Sequence, residues 1–169
     1  MPFNSIQLIN CNEEIIEALL KGDKTLATHL NINIPTKWSE FGTPIFEYSL
    51  AQIKNNPNSA KWWTYLPILI TENTLVGSCG YKGAPSEAGM VEIGYEVAEI
   101  YRNRGLATEI AKLLVQQAFE DDKVKIIQAH TIEEANASTR VLEKCGFKKV
   151  GSFEDEEEGL VWKWELMKN

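Results

Sequence analysis

Two hydrophobic patterns follow each other in the first third of the chain. Residues 5–10 alternate between polar and apolar side chains, which is typical of a strand with one buried face. After Asn12, two glutamates and apolar residues at helical spacing predict a helix that Asn12 caps and that ends at Gly22. A less regular stretch with two prolines follows, and the helical period resumes over residues 45–53. One strand and two helices are therefore predicted here.

The rest of the chain is richer in strands. Short apolar runs separated by turn residues alternate with two amphipathic segments, the second of which Gly146 closes. The predicted elements are, in chain order, strands over 64–71, 75–81 and 90–98, a helix over 107–119, a strand over 126–131, a helix over 136–145, and strands over 148–153 and 160–167. The predicted order is β-α-α-β-β-β-α-β-α-β-β, without internal repeats.

Composition adds the domain organisation to this picture. The chain has 169 residues, of which 44% are hydrophobic and 24% are charged, so it can bury a core without disulfides or metals. We therefore expect a single domain over residues 1–169. The net charge of −7 argues against a nucleic-acid partner, because phosphate contacts need a basic face.

Cysteines, histidines and the N-terminus bear on compartment and metals. Cys11, Cys79 and Cys145 form no CxxC pair, which fits reduced thiols. His29 and His130 are too few and too far apart to suggest a metal site. No apolar run approaches the length of a membrane span, and the first residues do not read as a signal peptide. We expect a cytoplasmic protein with no metal and no membrane partner.

The stretch 90–108, MVEIGYEVAEIYRNRGLAT, is the most informative about chemistry. It is a predicted strand, a polar turn and the start of a helix. The small residues Gly105 and Ala107 let the backbone approach a bulky ligand closely. The first amides of the helix lack intrahelical partners and point outward at the positive end of the helix dipole. Arg102 and Arg104 add charge beside them, so the turn predicts a site for a phosphate or pyrophosphate.

Two blocks of the sequence resemble one family. The pattern Arg-x-x-Gly-x-Ala between a strand and a helix, here Arg102–Ala107, resembles the acyl-coenzyme-A signature of the GNAT N-acetyltransferases. The wording IGYEV…YRNRGLATE is similar to the branch that contains the ribosomal-protein N-terminal and the spermidine acetyltransferases. The second block, 129–151, reads AHTIEEANASTRVLEKCGFKKVG. All three arginines of the chain lie within these blocks.

The resemblance implies a fold and a co-substrate. The GNAT fold is an α/β structure with a twisted, mostly antiparallel sheet of about seven strands, a splayed parallel pair at its centre and helices on both faces. The implied co-substrate is acetyl-CoA, whose pantetheine arm lies between the parallel strands, here over 92–98 and 126–131. The implied cofactor-binding residues are Val97, Arg102, Asn103, Arg104, Gly105, Leu106, Ala107, Thr108 and Asn136.

Two glutamates are candidates for the general base. Glu92 and Glu96 share one face of their strand, so both carboxylates could look into the same cleft. Glu92 lies at about the position of the catalytic glutamate in histone-type members of the family, and Glu96 lies closer to the acetyl group. We place Glu92 first. Either residue could instead be an exposed strand residue or a structural partner.

The general acid departs from the best-known pattern of the family. Many members carry a tyrosine near the coenzyme sulfur, and Leu142 stands at the corresponding position here. Ser138, Cys145 and water are the alternatives, although Cys145 is expected to be a buried structural thiol. His130 could face the cleft, but a partly buried histidine with satisfied hydrogen bonds is the simpler interpretation.

The acceptor is expected to be a primary amine, either a small molecule such as a polyamine or a peptide N-terminus. The acidic run EDEEE at 154–158 is a solvated hairpin tip or a surface that attracts a cationic amine. Dimers are common in the family, which leaves a homodimer open. The alternative function is a non-catalytic acyl-CoA sensor of the same fold, in which Glu92 and Glu96 are merely structural.

Overall fold

A computed structural model describes residues 5–40, 42–132 and 136–169. Residues 133–135 of the second motif block lie outside these ranges. The described residues fall into two compact units, one within Met1–Gly80 and Tyr95–Leu106, the other within Tyr81–Gly94 and Ala107–Asn169.

Five α-helices and eight strands form within the described residues. The helices are α1 (Glu13–Lys21), α2 (Asp23–Leu30), α3 (Thr43–Asn55), α4 (Leu106–Phe119) and α5 (Ala137–Lys144). The strands are β1 (Ile6–Asn10), β2 (Thr64–Leu69), β3 (Thr74–Leu75), β4 (Gly77–Tyr81), β5 (Met90–Val97), β6 (Ile126–Ile132), β7 (Lys148–Asp155) and β8 (Gly159–Met167).

The first helix forms as its capping residues predict. The Asn12 side chain accepts a hydrogen bond from the backbone N–H of Ile15, and Gly22 ends the helix with φ of 130°. Its buried face includes Ile16, which is fully enclosed. A polar cap and an apolar stripe together explain why α1 was predictable from sequence.

Helix α2 was not predicted. It occupies the beginning of the stretch that we interpreted as irregular, and only Leu26 among its residues is buried. A helix with a single buried residue has no repeating apolar positions in its sequence. Its sequence therefore cannot be distinguished from that of a polar loop. Asp23 in the first turn and Asn31 in the left-handed conformation at the end are the local features that accompany it.

The first unit contains the sheet of β1, β2, β3 and β4. Strand β2 is buried along its whole length and pairs antiparallel with β1, with Leu8 opposite Pro67. Strand β4 pairs with the other edge of β2 through Thr64 and Gly80. A Cβ atom at Gly80 would overlap the carbonyl oxygen of Trp63, so only glycine permits this approach.

The second unit contains the parallel pair that the resemblance implies. Strand β5 pairs parallel with β6, and Glu92 lies opposite Gln128. Strand β6 pairs antiparallel with β8, which pairs antiparallel with β7. The core of this unit includes Ile110, Leu114 and Ile127, none of which is exposed.

The fold class expected from the sequence is confirmed. The strand order is β1-β2-β4-β5-β6-β8-β7, and β3 pairs with β2. Strand β2 pairs antiparallel with β1, β3 and β4, and β8 pairs antiparallel with β6 and β7, whereas β5 and β6 are parallel. None of the helices within the described residues has the length and apolar character needed to cross a membrane.

Candidate active site

The turn before α4 has the geometry of an anion site. Asn103 and Gly105 adopt the left-handed conformation, with φ of 64° and 77°. A Cβ atom at Gly105 would meet no atom of the described residues within 4 Å, so these residues leave open space over the backbone there. Helix α4 begins at Leu106, and the amides of its first turn have no intrahelical acceptor. The turn therefore presents exposed backbone beside the positive end of a helix dipole.

Two arginines of this turn are held by carboxylates of the same unit. The Arg102 Nε donates to the Val97 carbonyl oxygen at 2.9 Å, and its Nη2 lies 2.9 Å from Glu40 Oε1. The Arg104 Nη2 lies 3.3 Å from Glu72 Oε2. Exposed ion pairs are worth about 0–1 kcal/mol, so a bound phosphate could replace either carboxylate at small cost.

The ring of Tyr101 packs against the guanidinium of Arg104. The Arg104 guanidinium lies 5.2 Å from the ring centroid of Tyr101, whose hydroxyl donates to Glu72 Oε1 at 3.0 Å. Burial raises the pKa of Tyr101, and its hydrogen bond to Glu72 raises it further. The tyrosine is therefore a neutral donor at physiological pH, and Glu72 joins the ring and the guanidinium.

Both carboxylate oxygens of Glu96 are occupied by donors of the first unit. Its Oε2 accepts from Ser39 Oγ and from Ser78 Oγ, each at 2.7 Å. Its Oε1 accepts from the backbone N–H of Glu40 at 2.7 Å. This side chain fixes the segment that carries Glu40, the partner of Arg102. The geometry is that of a structural anchor.

The environment of Glu92 is different. Its Oε2 lies 2.7 Å from Lys82 Nζ and 2.8 Å from His130 Nδ1. The Glu92 side chain is 18% exposed and that of His130 is 24% exposed, so both reach the surface of the sheet. The ring of Phe153 packs edge-on against His130, with centroids 5.1 Å apart. A carboxylate, an imidazole and an ammonium group thus meet on one face of the second unit.

Asn136 and Ser138 of the second motif block lie at the start of α5. Asn136 caps the helix by accepting from the backbone N–H of Thr139 at 3.1 Å, and the Thr139 hydroxyl accepts from the Asn136 N–H at 2.9 Å. The Ser138 side chain, our candidate for the general acid, lies exposed in the first turn. The cap fixes where Asn136 and Ser138 lie.

The remainder of α5 holds the two residues that stand in place of a tyrosine acid. Leu142 is 1% exposed and belongs to the core. Cys145 is half-buried, and burial raises the pKa of its thiol, while the charge of Lys112 lowers it by less. Its Sγ lies 3.9 Å from the carbonyl oxygen of Thr108. A protonated thiol packed against α4 fits the structural role expected of Cys145.

Sequence reasoning identified the strand residues but not their partners. The strand period places Glu92 and Glu96 on a face, whereas Lys82, Ser39 and Ser78 come from other segments of the chain. His130 was interpreted as a satisfied histidine, and the structure gives it one carboxylate partner on Nδ1. The expected parallel pairing of the strand of His130 with β5 was the signal that could have indicated its contact with Glu92.

The described residues contain no group of three or more His, Cys, Asp or Glu side chains that could hold a metal ion. The acidic run 154–158 begins in the last two residues of β7 and continues through the turn into β8, where Glu156, Glu157 and Glu158 are exposed. The Glu158 N–H donates to Asp155 Oδ2 at 3.2 Å. This hydrogen bond holds the Asp155 carboxylate against the backbone of the turn.

Comparison with known proteins gives the family. The model of the acetyltransferase (GNAT) domain matches residues 13–148. The uncharacterized N-acetyltransferase YjdG of Bacillus subtilis (strain 168) is 29% identical over 147 residues, which are 85% of this chain and 86% of that protein. This sequence similarity extends beyond the two motif blocks.

Solved structures agree in fold. A ribosomal-protein-S5-alanine acetyltransferase from Vibrio fischeri is 15% identical with a TM-score of 0.69, and the match covers 99% of this chain and 95% of that one. A chimera of the spermidine N-acetyltransferase from Vibrio cholerae is 13% identical, also with a TM-score of 0.69, covering 97% and 96%. Because the domain model spans most of the sequence, the chain belongs to the GNAT acetyltransferase family.

Proposed function

We propose that this protein transfers the acetyl group of acetyl-CoA directly to a primary amine. The observation that carries the proposal is the exposed turn 102–105 at the start of α4, which lies inside the matched acetyltransferase domain. Backbone amides at a helix start, with two arginines beside them, suit a pyrophosphate. Open space over Gly105 leaves room for it.

The residues proposed to bind acetyl-CoA fall into two groups according to the kind of contact they make. Arg102 and Arg104 would exchange their carboxylate partners for phosphate oxygens. The remaining residues, Val97, Asn103, Gly105, Leu106, Ala107, Thr108 and Asn136, would contact the cofactor through backbone groups or short side chains. An amide near Val97 would polarise the thioester carbonyl.

The transfer needs two proton movements. The amine nitrogen bonds to the acetyl carbon while the carbon–sulfur bond breaks and its electron pair leaves with the sulfur. An ammonium group must first lose a proton, and the group formed by Glu92, His130 and Lys82 would receive it. The second proton ends on the sulfur, for which Ser138 or water is the donor. The products are an amide, the CoA thiol and one released proton.

The acceptor is a small amine or a peptide N-terminus. Two structural neighbours of this chain bear the names of a spermidine N-acetyltransferase and a ribosomal-protein-S5-alanine acetyltransferase, which supports an amine acceptor. The exposed glutamates of the β7–β8 turn would attract a cation, and the protein as a whole carries a net charge of −7.

Three free cysteines are consistent with a cytoplasmic location.

An acceptor screen with acetyl-CoA and thiol detection tests this function. We expect CoA release that depends on both enzyme and amine, with acetylated amine as the second product. CoA binding without release from any amine, and without an effect of Glu92→Gln or Glu96→Gln on binding, would instead support the acyl-CoA sensor.

The same screen tests electrostatic attraction of the acceptor. Spermidine and an amine that is uncharged at the assay pH are compared at low and high salt. We expect kcat/KM to fall with salt for spermidine and to stay level for the uncharged amine, because salt screens exposed charges. Equal salt dependence of the two would remove the role of the acidic turn.

A further inference from the structure

We propose that His130 is the group that takes the proton from the amine, through Nε2, and that Glu92 is its positioning residue. The inference rests on the proposed function and deepens it, since the sequence alone placed Glu92 first. It starts from the pairing of two neighbouring strands within the second unit. Glu92 on β5 lies opposite Gln128 on β6, and His130 is two residues further along the same face of β6.

The hydrogen bond between the two side chains decides which ring nitrogen is free. Glu92 Oε2 lies 2.8 Å from His130 Nδ1. An ionised carboxylate only accepts hydrogen bonds, so Nδ1 carries the ring proton. In the neutral imidazole, Nε2 then holds the lone pair, which is the form a general base needs. Lys82 donates to the same carboxylate oxygen at 2.7 Å and so helps to hold Glu92 in place.

The rest of the surroundings keep the ring fixed and Nε2 accessible. Phe153 packs edge-on against the imidazole, with an interplanar angle of 80°. Lys163 lies opposite His130 on β8 and pairs with Glu165 at 3.9 Å. Among residues 5–40, 42–132 and 136–169, no hydrogen bond to Nε2 is formed, and the side chain is 24% exposed. As far as the described residues are concerned, the lone pair is open to a ligand on this face of the sheet.

The competing carboxylates are less suited to the task. Each oxygen of Glu96 already accepts a short hydrogen bond, and one of them accepts two. Glu92 Oε2 is shared by a lysine and a histidine. In the proposed step, an ammonium proton passes to Nε2, the freed amine attacks the acetyl carbon, and the thiolate leaves with the electron pair of the carbon–sulfur bond. The amine's second proton ends on the sulfur, and Nε2 later returns its proton to water.

Chemical rescue separates a histidine base from a carboxylate base. We expect His130→Gly to lower kcat by roughly 100-fold or more with little change in KM for the amine, because general bases contribute about 10²–10⁴-fold. Added imidazole should restore part of this activity in a saturable manner. Glu92→Gly should lose less activity than His130→Gly, and the double variant should be no slower than His130→Gly alone. Formate should fail to rescue Glu92→Gly.

The chain offers a matched control. His29 is the other histidine of the sequence and lies exposed on α2. His29→Gly should keep the activity of the parent protein and show no response to imidazole. Thermal unfolding of every variant shows whether a loss of activity comes from a loss of folded protein.

Nitrogen-15 spectra of the imidazole side chains test the geometry without turnover. With two histidines in the chain, His29→Gly assigns both signals. We expect His130 to show the Nδ1–H tautomer, and Glu92→Gly to abolish this preference. A dominant Nε2–H tautomer would overturn the proposal.

The outcomes distinguish the two levels of the proposal. A wild-type protein that acetylates no amine would overturn the proposed function and this role with it. An active wild type with an equally active His130→Gly, or with formate rescue of Glu92→Gly, would overturn the role of His130 alone.

Discussion

Gly105 has a positive φ and open space beside its backbone. Its φ of 77° is a conformation that β-branched residues avoid, and no atom of the part of the chain that the structure describes lies within 4 Å of its absent Cβ. Because glycine tolerates a positive φ, the turn forms without backbone strain. The open space leaves room for a ligand. A substitution there affects both, so a control must separate them.

We expect Gly105→Val to weaken CoA binding by about tenfold or more, equivalent to about 1.4 kcal/mol, because a side chain enters the space over the turn. Backbone strain should cost about 1–2 kcal/mol of folding stability. Gly159→Val is the matched control, since Gly159, the first residue of β8, has φ of 80° and equally open surroundings among the described residues. Calorimetry should show reduced CoA affinity for Gly105→Val only. Equal affinity of the two variants would contradict the assignment of the turn.

The sequence predicts which strand residues share a face but not what they meet. Period-two spacing identified both Glu92 and Glu96 as candidates. Their partners lie 10 to 57 positions away in sequence, on segments whose approach depends on tertiary packing. Packing makes one glutamate a structural anchor and leaves the other beside a histidine. The distinction between these two roles became visible only in the structure.

At the level of elements, sequence prediction succeeded where local chemistry and burial agree. Helices α1 and α5 each have an asparagine cap and a glycine just beyond the helix, so their limits were predictable. Helix α2 has one buried residue and no side-chain cap, and it was missed. Strand β2, buried on both faces, was recognised from its continuous apolar run.

Strand β6 presents different chemistry on its two faces, which a single substitution can test. Thr131 lies next to His130 in sequence, and its hydroxyl accepts a buried hydrogen bond from Trp164 Nε1 at 2.9 Å. Thr131→Val preserves the shape but leaves the indole N–H without its acceptor, at a cost of about 1–3 kcal/mol in the free energy of unfolding. Thr131→Ser keeps the hydroxyl and should cost less. Urea denaturation measures both values.

The activity of the same variants gives the second readout. Since neighbouring strand residues point to opposite faces, Thr131→Val should leave kcat close to that of the parent protein at a temperature where both are folded. A large loss of kcat in this variant would show that the two faces of β6 are not independent.

For the whole molecule, charge and chemistry are distributed unevenly. A net charge of −7 argued against nucleic acid, yet the three arginines of the chain lie in the two motif blocks. Two of them, Arg102 and Arg104, flank the helix start that is suited to pyrophosphate, whereas the β7–β8 turn is acidic. An acidic protein can thus bind one anionic co-substrate locally and still attract a cationic acceptor.

We propose that the acetyl group passes directly from acetyl-CoA to an amine. The most direct test mixes the enzyme with an equal amount of acetyl-CoA, with and without an acceptor amine, and follows intact protein, amine and CoA by mass spectrometry over a single turnover. We predict that acetylated amine and free CoA appear together in equal amounts, and that the enzyme never gains the mass of an acetyl group. An acetylated enzyme that forms without the amine and passes its acetyl group on would contradict this account.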